Sequence, residues 1–357
     1  SCIVECPNGD LRAVWYENGP AMPETYYDED QDKSDNVRIG GSRLAKGSES
    51  WETPFAMADT YGCSDNNPCM TIDGEGRLWL FYPTLLGVPQ NTWGSALMQF
   101  KISDDYDRPG PPTWKKEAIL VPKPTGIPEL FEMIQPKLVE RGASEGLLAR
   151  IESELKDPLK IRLGWMSRAH PLVRSDGAIL LPLANENFDV PVMAITEDVG
   201  ETWTYSKPVP YAGVIQPTVV EWADGALTAF FRSGDDVPEI PRSESTDGGR
   251  TWSPLTRTEL VHPGSGFEAI VLDNGHLAVV YNDMADGPRD RLAISISDDK
   301  GKTFKWKRTI EDIPGGRFDY PSVIQARDGS IHVSYSFTLK TVKHVRFNEA
   351  WVVEGDQ

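Results

Sequence analysis

The chain has 357 residues, 36 of them basic and 54 acidic, for a net charge of −18. No Lys/Arg cluster interrupts that acidity, so a nucleic-acid partner, whose phosphates need a basic stripe, is not expected. No apolar run of about 18 residues is present to cross a membrane as a helix, and four cysteines and five histidines without ligand spacing exclude a disulfide scaffold and a zinc finger.

In chain order, one pattern recurs: IVECPNGDLRAVWY (3–16), NPCMTIDGEGRLWLFY (67–82), HPLVRSDGAILLPLA (170–184), QPTVVEWADGALTAFFR (216–232), FEAIVLDNGHLAVVY (267–281) and YPSVIQARDGSIHVSY (320–335). Two apolar runs around Asp-Gly or Asn-Gly predict a β-hairpin, with φ > 0 expected at both central residues of the turn. A second unit follows most copies: TEDVGETW (196–203), STDGGRTW (245–252), SDDKGKTF (297–304), the irregular SDDYDRPGPPTW (103–114) and a looser RLAKGSESW (43–51). Its Asp is expected to accept backbone N–H bonds, its Gly to take a left-handed conformation, and its aromatic to pack on the sheet. Helical periodicity is confined to about 128–156, interrupted by Pro136 and Gly142. The tail TVKHVRFNEAWVV (341–353) reads as β structure that completes the last unit. Cys63 and Cys69 share a loop and are a possible pair.

A hairpin followed by a second hairpin makes a four-stranded antiparallel sheet, and six such sheets predict an all-β, six-bladed β-propeller. The whole chain then forms one domain, with a short helical insertion at about 122–163 between blades two and three.

The second unit resembles the Asp box of the sialidase superfamily, and the hairpin-plus-box organisation is similar to that of the Asp-box (BNR-like) repeat proteins. YPSVIQARDGSIHVSYSFTLKTVKHVRF (320–347) is similar to the final blade of that group. The resemblance implies arginines that hold a substrate carboxylate and a tyrosine nucleophile paired with a glutamate. Arg232 resembles the second arginine, Arg289 the third (Arg291 being a fallback), and Tyr320, 31 residues after Arg289, the nucleophile. A guanidinium fork suits a carboxylate bidentately. The chain departs from the pattern at Gln216, 16 residues before Arg232, where the activating glutamate belongs. It departs again in lacking the N-terminal arginine motif, for which Arg38 and Arg43 are the stand-ins and Arg12 sits inside a strand pattern. Asp59 and Asp65 are loose counterparts of the acid aspartate.

In a propeller the ends of the inner strands converge on the axis. That places Asn66, Asn67, Arg168, His170, Gln216, Glu268, Asp319 and Tyr320 at strand starts. Glu186, Arg232, Asp235, Asn282, Asp283 and Arg289 follow second strands. From these, Tyr320, Glu268, His170 and Asp65 are the expected catalytic groups, Glu268 replacing the missing tyrosine partner. Arg232, Arg289, Arg168, Gln216, Asn67 and Asp283 are the expected substrate-binding set. Glu186 is a further acid or a charge partner of Arg168, and Trp93 and Trp165 are candidates for stacking on sugar rings. No metal or cofactor is expected; the acidic run DEDQDKSD (28–35) lacks the glycine and terminal glutamate of an EF-hand loop. The expected function is a glycosidase acting on a terminal acidic sugar of an oligosaccharide or polysaccharide. A uronic-acid lyase or a non-catalytic glycan-binding propeller is the alternative. Such a substrate favours a secreted or periplasmic location.

Overall fold

Six turns with the same hydrogen bonds set the architecture. At Cys6, Asp73, Arg174, Trp222, Leu272 and Ala326 the backbone N–H donates to the carbonyl four residues on, and the carbonyl accepts from the glycine three residues on. That glycine (Gly9, Gly76, Gly177, Gly225, Gly275, Gly329) has φ between 78° and 88°. The sequence predicts two positive φ angles per turn; only the glycine has one, so the turn is the longer form that ends in a left-handed glycine.

The computed structural model describes residues 1–20, 31–87, 92–140, 142–234 and 238–355. Asp235 and the first residues of the run 28–35 therefore lie outside the described residues. Each turn joins the two inner strands of an antiparallel sheet, and the sheets follow one another along the chain. Blade one is β1 (Cys2–Glu5), β2 (Leu11–Asn18), β3 (Val37–Leu44) and β4 (Phe55–Ala58). Blade two is β5 (Ser64–Asp65) and β6 (Cys69–Ile72), then β7 (Leu78–Leu85), β8 (Ala96–Ser103) and β9 (Lys116–Leu120). Blade three is β10 (Trp165–Met166) and β11 (Leu172–Val173), then β12 (Ile179–Asn185), β13 (Val190–Thr196) and β14 (Thr204–Tyr205). Blade four is β15 (Val214–Glu221), β16 (Leu227–Ser233), β17 (Glu239–Ser245) and β18 (Thr256–Val261). Blade five is β19 (Glu268–Val271), β20 (Leu277–Asn282), β21 (Arg291–Ser297) and β22 (Trp306–Asp312). Blade six is β23 (Phe318–Gln325), β24 (Ile331–Phe337) and β25 (Thr341–Phe347). The molecule is a six-bladed all-β propeller.

The tail departs from the sequence reading. Residues 341–347 form β25, but Glu349–Glu354 is a helix, α4, whose N-cap Asn348 accepts from the Trp351 N–H. Blade six therefore has three strands among the described residues. The helix packs on β22, with the Arg308 guanidinium 4.3 Å from the Trp351 ring centre. Blade six meets blade one through the Ile3 N–H donated to Ser322 Oγ at 3.1 Å and Arg327 donated to the Pro7 and Cys6 carbonyls.

The Asp boxes lie between third and fourth strands and work as expected. Asp198, Asp247 and Asp299 each accept from the N–H and hydroxyl of the threonine four residues on. The irregular copy does the same job over a longer loop, with Thr113 N–H donating to Asp105 at 2.7 Å. Box aromatics pack against the preceding blade: Trp203 meets Phe81 and Phe100 edge-on. Trp51, from the loosest copy, meets His344 of blade six in the same way.

The insertion forms α1 (Ile127–Glu140), α2 (Glu145–Glu154) and α3 (Pro158–Arg162). Its one buried face is Ile127, Leu130, Phe131 and Ile134 of α1, with Phe131 tilted against Phe188 of blade three at 5.8 Å. All four cysteines are free, so Cys63 and Cys69 are not paired. No helix among the described residues is long and apolar enough to cross a membrane.

Candidate active site

The site exists because the inner strands break at one height. In blades two and three the inner strand is interrupted, β5 and β6 both pairing with β7, and β10 and β11 both with β12. In blades four and six it bulges, between Ile215 and Thr218 and between Asp319 and Ser322. Six residues before the turn residue defined above, these breaks hold Asn67, Arg168, Gln216 and Tyr320; blade five has Gly266 there. Asn67, Gln216 and Tyr320 are left-handed, with φ of 35°, 48° and 53°. Such backbone costs about 1–3 kcal/mol per residue and persists where the surroundings enforce it. The consequence is that side chains leave the in-out alternation of the strand and turn to the axis.

Gly266 is the hub of that ring. A Cβ built on it would lie 2.7 Å from Tyr320 Cδ1, 3.0 Å from Arg168 Nε and 3.1 Å from Gln216 Oε1. Arg168 is 5% exposed and lies over the Tyr320 ring at 5.5 Å. Among the described residues it donates only to backbone carbonyls, Pro321 at 2.6 Å and Phe267 at 3.4 Å, and its buried Nε has no partner. Arg232, from β16, donates to the Gly264 carbonyl at 2.6 Å and to Gln216 Oε1 at 3.2 Å. Arg289, with φ 64°, donates to Asp319 at 2.8 Å and reaches the same Gly264 carbonyl at 3.5 Å. Three guanidiniums from blades three, four and five thus gather around one glycine segment beside Tyr320. Among the described residues neither Arg168 nor Arg232 has a carboxylate partner. The field is felt by His262, whose pKa burial and the Arg232 and Arg289 cations push down to about 4.

One layer deeper, four residues before the turn, sit Cys2, Cys69, His170, Thr218, Glu268 and Ser322. Glu268 is 1% exposed and accepts from the His170 N–H (2.7 Å), the His170 ring Nδ1 (2.9 Å) and the Val323 N–H (2.8 Å). The other ring nitrogen of His170 faces the Ile3 carbonyl at 2.6 Å. A carboxylate and a carbonyl can only accept, so these two contacts suit an imidazolium that donates from both nitrogens, with the Cys2 sulfur also 3.2 Å from the second of them. Burial opposes that charge, but the Cys2 sulfur and the Glu268 carboxylate raise the His170 pKa well above its ordinary value. Burial likewise works against the Glu268 carboxylate, yet the His170 ring and Arg168 outweigh it and bring it down to about 2. Glu268 and His170 are therefore an ion pair that ties blades one, three, five and six together. No hydrogen bond links Glu268 to Tyr320 among the described residues.

Of the remaining expected residues, Asp65 and Asp283 lie away from the ring. Asp65 is fully buried in blade two, its oxygens accepting from Thr84 Oγ1 at 2.5 Å and the Thr60 N–H at 2.7 Å. Asp283 turns outward, bonded to Tyr281 and to Lys307 of the outer strand at 2.7 Å. Asn67 holds its ring position and its carbonyl accepts from Ser167 Oγ at 3.2 Å. Of the stand-in arginines, Arg12 is 1% exposed and spends its guanidinium on the carbonyls of Tyr106, Arg108 and Gly110. Arg38 and Arg43 pair with Glu17 and with Asp10 and Glu52. The third cation at the axis is Arg168 instead. Trp165 is fully buried with its ring N–H on the Ile161 carbonyl, so it cannot stack on a sugar; Trp93 is half-buried under Lys33.

A cavity of about 530 Å3 opens beside Tyr320, walled by Trp15, Tyr16, Asp319, Ser336 and Thr341 among others. A larger hollow of about 670 Å3 around Ile310, Arg346 and Trp351 is on the outer rim, away from the axis. Among the described residues no three His, Cys, Asp or Glu side chains gather so as to hold a metal ion.

Comparison with known proteins agrees with this architecture. The model of the BNR repeat-like domain matches residues 151–333, just over half of the chain. A sialidase of Clostridium perfringens is 30% identical over 172 residues, which take in 42% of this chain and 44% of that protein. The chain thus spans less than half the length of that curated relative. Among solved structures, the Hadza microbial sialidase Hz136 superposes with a TM-score of 0.72 at 16% identity, over 99% of this chain and 66% of its own. The intramolecular trans-sialidase of Ruminococcus gnavus, solved with oseltamivir carboxylate, gives 0.71 at 14% identity over 99% and 94%. Repeats, propeller and family model together place the chain in the BNR repeat-like family of the sialidase superfamily.

Proposed function

We propose that the protein is a glycosidase that hydrolyses the bond to a carboxylated sugar at the end of a glycan. One observation carries this reading: Arg168 over the Tyr320 ring and Arg232 on the adjoining Gln216 have no carboxylate hydrogen-bonded to them among the described residues, in a chain whose net charge is −18. Two buried or half-buried guanidiniums in an acidic protein are costly unless an anion completes them, and a planar carboxylate fits their forked donors. The R. gnavus protein of the same fold was solved with a carboxylated ligand, which agrees with that chemistry. Tyr320 is the nucleophile in this reading, its phenol oxygen attacking the anomeric carbon while the arginines hold the carboxylate. The cavity beside it has room for the rest of the glycan.

Gln216 favours a second reading. An amide hydrogen-bonded to Arg232 cannot take the phenol proton, whereas a lyase needs no second group to hold it: the Tyr320 phenolate takes the sugar proton and returns it to the departing glycosidic oxygen, which restores the phenolate. There Tyr320, as base, removes the proton α to a uronate carboxylate neutralised by the arginines. A screen of sialosides and uronic-acid oligosaccharides, followed both for released sugar and for ultraviolet absorbance of an unsaturated product, separates the two. Tyr320→Phe should abolish whichever activity is found without lowering the melting temperature. Full activity in that variant would remove Tyr320 from the chemistry.

A further inference from the structure

The proposed glycosidase needs a proton donor for its leaving group. The carboxylates near the axis that the sequence points to are committed: Asp65 to Thr60 and Thr84, Glu268 to His170 and Val323, Asp319 to Arg289 and Arg317. Glu186, just past the end of β12, is different. Its backbone N–H donates to the Gly164 carbonyl at 2.7 Å. The asparagines on either side clamp it. Asn185 Nδ2 donates to the Leu163 carbonyl at 2.9 Å, and Asn187 Nδ2 to the Gly94 and Lys160 carbonyls at 3.1 and 3.2 Å. The Asn187 amide fits only because both neighbours are glycines. A Cβ on Gly94 would come within 2.3 Å of its oxygen, and one on Gly164 within 2.5 Å of its nitrogen.

The backbone of Glu186 is thus fixed by blade two, by the end of the helical insertion and by its own blade. Its half-buried carboxyl makes no hydrogen bond or ion pair among the described residues. Its charged neighbours are Asp189 and Arg232 of the arginine cluster; burial and Asp189 carry its pKa up to about 7 against the pull of Arg232. A rigid carbonyl framework around an uncommitted carboxyl suits proton transfer and has no evident structural use.

We propose that Glu186 is the general acid and base of this site, held in place by Asn185 and Asn187. In the first half of the reaction its O–H gives the proton to the bridging oxygen as the bond from that oxygen to the anomeric carbon breaks. The glycan leaves as a neutral alcohol, while the Tyr320 oxygen bonds the anomeric carbon and its phenol proton passes to solvent. In the second half the Glu186 carboxylate takes a proton from water, whose oxygen displaces Tyr320. The phenol regains a proton from solvent, and one water is consumed overall. The inference rests on the glycosidase reading.

The test compares leaving groups. Wild-type protein, Glu186→Gln and Asn187→Ser are assayed on sialyllactose and a glucuronyl disaccharide, and on the para-nitrophenyl glycosides of the same two acidic sugars. A sugar leaving group needs the proton; para-nitrophenolate does not. Glu186→Gln is expected to lose roughly 10²–10⁴-fold in kcat/KM, which reads the step that expels the leaving group, on the disaccharides and no more than about tenfold in kcat/KM on the aryl glycosides, and to lose the basic limb of the wild-type pH profile near neutrality. Asn187→Ser should show the same contrast on a smaller scale and shift that limb rather than abolish it, which reads the role even if Glu186→Gln fails to fold. Equal losses on both leaving groups, or an unchanged pH profile, overturn the role of Glu186 alone. A wild-type protein that turns over none of the four glycosides overturns the glycosidase reading, and this inference with it.

Discussion

Two rings of side chains, two residues apart on the same inner strands, use charge in opposite ways. In the deeper ring every charged group is answered: Glu268 has three donors, and the His170 ring has two acceptors. Thr218 and Ser322 complete the stitching, to Ala269 and to Ile3. In the upper ring the strand breaks turn the side chains inward; there Arg168, and beside that ring Arg232 of β16, hydrogen-bond among the described residues to backbone and amide oxygens only. The first arrangement holds six blades around an axis. The second stores an unmet demand for an anion. Burial and charge alone do not distinguish a strut from a binding group; the completeness of the hydrogen bonding does.

That distinction is open to breakage by substitution. Glu268→Ala should be the most damaging change, because it strands a buried imidazolium and two backbone donors. Removing one partner of a buried ion pair costs about 3–5 kcal/mol, read as a lower urea midpoint with an unchanged slope. Arg232→Ala, one ring higher, should leave that midpoint within about 0.5 kcal/mol. It should instead weaken a carboxylated sugar by roughly 10²-fold, as loss of a desolvated charge-assisted contact does, and leave a neutral analogue bound as before. Equal losses for both sugars would show that no carboxylate is read there.

Gly266→Ala tests whether the upper ring is as tightly arranged as its spacing implies. Its backbone would tolerate a side chain, since its φ is not among the positive ones. The Cβ would nonetheless press on Tyr320 and Arg168, the aromatic carbon lying at 2.7 Å. Overpacking of this kind costs about 1–3 kcal/mol, and here most of the strain falls on the two residues assigned to chemistry and binding. We expect a modest fall in melting temperature with a disproportionate loss of turnover. A variant with full activity would mean that Tyr320 and Arg168 can move apart without consequence.

The fold was legible because its signals are local. Each hairpin announces itself by a glycine and two apolar runs, and each box by an Asp and a Thr four residues apart. The tail differs from its pattern because FNEAWVVE carries two valines that suit a strand, while the Asn348 side chain caps Glu349–Glu354 as a helix. The site was legible only in part. Arg168, Arg232, Arg289, Gln216 and Tyr320 converge where strand ends were expected to meet. The commitments of Glu268 and Asp65 could not be read, since the partner of Glu268 is 98 residues away and a propeller decides which blades face each other across the axis. Trp165 at the start of a loop-flanked strand looked available for stacking and is core. For Glu186 there was a usable sign, the flanking asparagines in Asn-Glu-Asn at a strand end, which are suited to tying a loop to neighbouring carbonyls.

The smallest expected effect separates the rings by pH. Glu268 titrates at about 2 in the folded protein and near 4.5 ordinarily. Its contribution to stability is therefore present above 4.5 and drains away as pH falls from 4.5 through 2. His170 has the opposite sense: raised above its ordinary 6.5, it stabilises fully below 6.5 and loses that contribution as pH climbs through its elevated folded value. The pair should thus stabilise most between about 4.5 and 6.5. Glu268→Gln keeps the side-chain shape and removes the carboxylate, so its stability should change less than that of the wild type on both sides of this window. Urea denaturation at closely spaced pH values reads the difference directly. Parallel profiles for the two proteins would mean that the deeper ring is held by its neutral hydrogen bonds, and that charge does no more work there than in the ring above it.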